Sequence, residues 1–168
     1  LLDEAERQVL EYPSMAALAM SASAVVRNAG RGIVSVLLGI ENAAALDGNE
    51  DPAASLRHFY KRGVRYITLT HSADNRYADS CTGDGRWGGL SPSGKRLVAE
   101  MNDMGMLIDL AHASDATMRD VLDASRTPVA YTHGCCRALA SHKRNITDEL
   151  MRGIADGGGV VCMSIYPC

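Results

Sequence analysis

Glu41, His71, His112 and His133 each stand at the downstream end of a separate apolar run, after residues 33–40, 64–70, 106–111 and 128–132. Imidazole and carboxylate are the usual ligands of zinc-like ions and the usual acids and bases of enzymes. Apolar runs of this kind read as parallel strands buried on both faces, and β/α folds gather their chemistry at the C-terminal ends of such strands. His112 and His133 are 21 residues apart, close to one strand–helix unit, so neighbouring strands would carry both to one mouth. Glu41 has two oxygens and can bridge two cations; a pair about 3.5–4 Å apart activates water and polarises a carbonyl. His71 is either a further ligand or a donor to the oxyanion of acyl-group hydrolysis; the residues alone leave both open. Arg144, in the loop after the fourth run, suits bidentate capture of a substrate carboxylate, with an ordinary surface arginine as the alternative. His58 and His142 read as surface residues.

The elements that would position these groups alternate strand with helix. Residues 2–12 read as a helix closed by Pro13, and 14–28 as a second helix ended by Gly30 and Gly32. Residues 32–40 are strand-like. Asp51-Pro52 opens a helix with Leu56, Phe59 and Tyr60 on one face. Residues 64–70 follow as a strand, then a polar, glycine-rich loop over 72–89 of a length that usually carries function or is disordered. Ser91-Pro92 starts a helix striped with Leu97, Val98, Met101 and Met104. Residues 106–111 form a strand, and Ser114 caps a helix with Met118, Val121 and Leu122 inward. Residues 128–132 form a strand, Thr147 caps a helix, and 160–166 form the last strand. About five strands with helical connections predict an α/β fold with a parallel sheet. Ligand types at four strand ends, with no glycine-rich phosphate loop, favour a barrel mouth over a doubly wound sheet.

The chain has 168 residues, 46% hydrophobic and 22% charged, with a formal net charge of −3. That describes one globular domain with a real core, and neither nucleic acid nor an anionic membrane is expected as a partner. No apolar run is long enough for a membrane helix. The five cysteines lack zinc-ribbon spacing; Cys135 and Cys136 read as small buried thiols, and cysteine usage leaves the compartment open.

The stretches LLGIEN (37–42), GVRYITLTHSADN (63–75), WGGLSPSGKRLVAEMNDMGMLIDLAHASDATMRDVL (87–122), PVAYTHGCCRAL (128–139) and RNITDELM (144–151) resemble the renal (membrane) dipeptidase family of zinc peptidases. IEN and the WGGLSPSGK loop suggest its bacterial branch. The resemblance implies a TIM-like (β/α)8 barrel with a binuclear zinc site. It further implies Glu41 as the carboxylate bridging both ions and His112 and His133 as ligands of one of them. His71 matches the histidine that contacts substrate and stabilises the tetrahedral intermediate, and Arg144 the arginine that binds the dipeptide's C-terminal carboxylate. Dipeptides with a D-residue at the C-terminal position would be among the substrates.

Two departures qualify that expectation. The family's other ion is held by an upstream His-x-Asp pair, and no such pair occurs here; a downstream catalytic Asp also lacks a counterpart before Cys168. Residues 1–168 are therefore expected to be the central part of a longer barrel, inactive alone, with an active parent. The exposed sheet edges of a partial barrel would be covered by further chain or by a second copy, as in a homodimer. The competing readings are a non-catalytic ligand-binding member of the same fold and another barrel amidohydrolase acting on cyclic amides or esters.

Overall fold

The computed structural model describes residues 1–48 and 51–164. All its strand pairs are parallel. β1 (Ala16–Leu18) pairs with β2 (Val34–Val36), and Leu37 alone separates β2 from β3 (Leu38–Glu41). From β3 a five-stranded sheet continues in strict chain order through β4 (Val64–Thr68), β5 (Leu107–Asp109), β6 (Ala130–Tyr131) and β7 (Val160–Val161). This order never reverses, so the sheet has no switch-point crevice. It is the wall of a barrel and not a doubly wound sheet.

A helix lies in every connection except the single-residue link between β2 and β3. α1 (Leu2–Glu11) precedes β1, α2 (Ala22–Gly30) joins β1 to β2, and α3 (Pro52–Lys61), α4 (Pro92–Met104), α5 (Asp115–Ala124) and α6 (Asp148–Asp156) join the strands of the larger sheet. Side-chain caps start the last four. The Asp51 carboxylate accepts from Ala53 N–H, and the Ser91, Ser114 and Thr147 hydroxyls accept from Gly94, Thr117 and Leu150 N–H. Gly105 closes α4 in the left-handed region, at φ 68°. The inward stripes match the sequence pattern. Leu56, Leu97, Val98, Met101, Met118, Val121, Leu150 and Ile154 are all buried in one core with Val64, Ile67, Leu69, Ile108, Leu110 and Val129 of the strands and their ends. Each such side chain contributes roughly 1.5–3 kcal/mol by leaving water.

Three expectations need correction. Residues 14–28 are not one helix: residues 16–18 form β1, and α2 begins only after Ser21, whose hydroxyl caps it. The alanine-rich segment has good helical propensity, but pairing overrides it, with Val34 N–H donating to Met15 and Ala19 N–H to Val36. The strand expected over 32–40 is broken at Leu37. The last strand, expected over 160–166, is ordered as Val160–Val161, and residues 165–168 lie outside the described residues. A 3-10 helix, Ala43–Gly48, was not foreseen.

Gly39 is level with Tyr66 across the β3–β4 pair, and a Cβ at 39 would lie 2.0–2.4 Å from three atoms of the Tyr66 ring. Glycine is therefore required for the ring to cross β3. Gly39→Ala should destabilise the full-length protein by roughly 1–3 kcal/mol in urea unfolding followed by circular dichroism. Adding Tyr66→Leu should recover part of that loss. An unchanged midpoint in the single variant would contradict the contact.

Candidate functional site

The strand register explains how four distant residues meet. Glu41 is level with Thr68, Thr68 with Asp109, and Asp109 with Ala130, one layer across β3 to β6. His71, His112 and His133 each lie three residues beyond that layer on their own strands. All three imidazoles and the Glu41 carboxylate thereby reach the same rim. They line a cleft of about 740 Å³ together with Gly134, Cys135, His142, Arg144 and Asn145.

The donor atoms are close. Glu41 Oε1 lies 3.0 Å from His112 Nε2, 3.2 Å from His133 Nε2 and 3.7 Å from His71 Nε2. His112 Nε2 and His133 Nε2 are 3.0 Å apart. The rings of His71 and His112 lie 4.2 Å apart, tilted by 33°. Ligands bonded to zinc at about 2.0–2.1 Å in a tetrahedron stand roughly 3.3 Å from one another, so the Glu41–His112–His133 spacing suits such an ion. Protonation suits it too. Burial first, then the neighbouring Arg144, His71 and His133, push His112 down to about 4, against a smaller opposing effect of Glu41. Its imidazole is neutral at neutral pH and free to ligate. The three donor atoms form one group able to hold a metal ion. The Glu41 side chain is 48% exposed; what singles it out is its proximity to three histidines.

Beneath the rim sits Asp109, fully buried. Its Oδ2 accepts from the hydroxyls of Thr68 and Thr132 at 2.6 and 2.7 Å, and its Oδ1 from the amides of Ala111 and Thr132 at 3.1 and 2.9 Å. The Thr132 hydroxyl also lies 2.9 Å from His133 Nδ1. Two imidazoles and a carboxylate at this spacing are donors of the type zinc takes, and the residues present fit a zinc-type ion.

His112 and Asn42 are the two non-glycine residues with positive φ among those described, at 65° and 100°. One belongs to the cluster and the other follows Glu41 directly, a concentration of backbone strain at one place. The loop over 72–89, ordered throughout, braces both. The Ser80 hydroxyl donates to the His71 carbonyl, Cys81 N–H donates to the His112 carbonyl at 2.8 Å, and Asn75 Nδ2 donates to Asn42 Oδ1 at 2.9 Å. The loop is knotted around Asp74. Burial works to raise this carboxyl, but N–H donors from Ser80, Arg86, Gly85 and Asp84 outweigh it and hold the group below the ordinary carboxylate range.

Arg144 reaches the cleft with its guanidinium steered by two groups. Nη2 donates to the His133 carbonyl at 3.0 Å and Nη1 to the Tyr131 hydroxyl at 3.1 Å, while that hydroxyl donates to the Arg144 carbonyl at 2.8 Å. Gly134 makes room, since a Cβ there would meet the Tyr131 hydroxyl at 2.0 Å. His58 is exposed, as expected. His142 is exposed but lines the cleft, and its Nδ1 accepts from Arg144 N–H at 3.1 Å. Cys135 and Cys136 are half-buried free thiols rather than core residues.

A family model described as membrane dipeptidase, peptidase family M19, matches residues 1–168. The chain belongs to this family. The dipeptidase aclJ of Aspergillus oryzae is 41% identical over 99% of this chain and 39% of its own length. Among solved structures, an amidohydrolase from Pseudomonas aeruginosa superposes with a TM-score of 0.86 at 29% identity, over 96% of this chain and 48% of that one. A metallopeptidase from Rhodobacter sphaeroides, liganded with a phosphinate mimic of the dipeptide L-Ala-D-Ala, gives 0.77 at 26% identity, over 88% and 43%. The chain thus spans about two-fifths of the curated relatives it matches and less than half of these structures. Other curated relatives named as dipeptidases, at 35–40% identity, are also fungal, so these relatives do not single out the bacterial branch that the IEN and WGGLSPSGK stretches suggested. No helix among the described residues is long and apolar enough to cross a membrane.

Asp74→Ala should raise amide hydrogen exchange at Asp84, Gly85 and Arg86 about tenfold or more at neutral pH, equivalent to the roughly 1–3 kcal/mol of unsatisfied donors. The sign with pH follows from the lowered pKa. The knot contributes fully above the ordinary carboxylate value and is lost as pH falls through the lower, folded one. Protection equal in variant and wild type would contradict this account of the loop.

Proposed function

We propose that the full-length protein is a metal-dependent dipeptidase and that residues 1–168 carry the central part of its barrel. The observation that carries the reading is the convergence of Glu41, His112 and His133 in one cleft beside His71 and Arg144. In this reading Glu41, His112 and His133 would hold zinc, and the two oxygens of Glu41 would let it serve a second ion as well. Zinc, when bound, supplies a water of lowered pKa and a Lewis acid for the scissile carbonyl. His71 touches the carboxylate ligand and faces the cleft, where its Nε2 would donate to the oxyanion as negative charge develops there. Its Nδ1 lies 2.8 Å from the Ser72 hydroxyl, which helps fix the ring.

Arg144 gives the site its selectivity. Held by Tyr131 and the His133 carbonyl, it would bind the free C-terminal carboxylate of a dipeptide and so favour short substrates over proteins. The Rhodobacter sphaeroides relative was solved with a mimic of L-Ala-D-Ala. That likeness supports dipeptides with a D-residue at the C-terminal position as substrates here.

His133→Ala in the full-length protein should abolish turnover of dipeptides and lower bound zinc, measured by plasma mass spectrometry on the same sample. Unchanged turnover and zinc content would sink the assignment. Arg144→Ala should raise KM for dipeptides with a free carboxylate by ten- to a hundredfold, the loss of one charge-assisted pair worth about 1.5–3 kcal/mol, while barely affecting C-terminally amidated analogues. An equal loss on both substrate types would remove Arg144 from that role.

A further inference from the structure

The Asp109–Thr132–His133 chain has a direction, and it can be read atom by atom. Asp109 is fully buried and its four acceptor positions are all taken, by two hydroxyls on Oδ2 and two backbone amides on Oδ1. Hydroxyl bonds of 2.6 and 2.7 Å have the length of charge-assisted O–H···O⁻ contacts. An ionised carboxylate can only accept, so the Thr132 proton is committed to it. Thr132 Oγ1 can then only accept from His133, at 2.9 Å.

We propose that Asp109 and Thr132 are positioning residues that fix His133 as its Nδ1–H tautomer, so that Nε2 presents a lone pair to the Glu41–His112 group. A carboxylate behind a ligating histidine commonly sets ring orientation and basicity directly. Here a threonine is interposed, and the carboxylate reaches the imidazole one bond further away. Because the same Asp109 also holds Thr68 at the end of β4, the arrangement ties the tautomer to the spacing of the strands that carry His71, His112 and His133.

Asp109→Asn tests this with almost no change of shape. The backbone amides of Ala111 and Thr132 require an oxygen at the Oδ1 position, so the new NH₂ must face the two threonine hydroxyls. It would donate to Thr132 Oγ1, whose proton would turn to His133 Nδ1 and force the Nε2–H tautomer. Thr132→Val instead removes the intermediary, and Thr132→Ser restores it. The proposal rests on the metal-ligand reading of His133 only for its second readout.

The first readout is the ¹⁵N shifts of the His133 ring in histidine-labelled, metal-free full-length protein. Nδ1–H is expected in wild type and Thr132→Ser, Nε2–H in Asp109→Asn, and a mixture in Thr132→Val. The second is zinc affinity by chelator competition, with zinc alone as probe. It should fall about ten- to a hundredfold in Asp109→Asn and Thr132→Val and be kept in Thr132→Ser. If Asp109→Asn fails to fold, the two threonine variants decide. The same tautomer in wild type and Thr132→Val would overturn the proposal. A tautomer change with no zinc bound by any of these proteins would uphold the positioning role and overturn the metal reading instead.

Discussion

The site depends on one buried carboxylate. Asp109 has no contact with water, and an ionised group in that position costs several kcal/mol unless its lone pairs are filled. They are filled by Thr68 at the end of β4, by Ala111 just beyond β5, and by the amide and hydroxyl of Thr132 just beyond β6. The requirement runs in both directions. The charge is tolerated only if three consecutive strand ends stand at the right height and spacing, and those ends are fixed there because the charge must be satisfied. His71, His112 and His133 leave the sheet from the same three strand ends. The positions of the imidazoles are thus inherited from a hydrogen-bond network one layer below them.

Strain is held on top of that layer. His112 and Asn42 adopt backbone conformations that side chains disfavour, at a cost of order 1–3 kcal/mol each. The loop after His71 offsets it. Asn75, Ser80 and Cys81 all bond to backbone or side-chain atoms of the strained residues or of His71, and Asp74 and Asp79 hold the loop to itself through its own amides. The loop therefore acts as a brace. A site whose geometry is fixed before a ligand arrives loses less entropy on binding it.

Much of this was legible in the sequence, for identifiable reasons. Helix stripes and caps are local signals, and Ser91, Ser114 and Thr147 behave as expected. The ligand types stood out because each ends an apolar run. The layer beneath them was also present, in the spacings Thr68–His71, Asp109–His112 and Ala130–His133, but only a known register shows that these positions are level. Residues 16–18 misled because alanine has high helical propensity, and a strand held by pairing with a distant segment leaves little local trace. Tyr131 and Asn145 passed unnoticed for the same reason: their partners, Arg144 and the amide of Cys135, come from tertiary packing rather than from any periodicity. His142 read as surface, and it is exposed; its place on the rim follows from the path of the loop after β6.

The cleft also couples its two ends. After burial, Arg144 is the largest influence depressing the His112 pKa, so the guanidinium is felt at the histidine cluster. The same field opposes a cation held by Glu41, His112 and His133. A carboxylate bound to Arg144 would weaken that field at the histidine group. Under the dipeptidase reading, recognition of the carboxylate and activation at the cluster are then electrostatically linked.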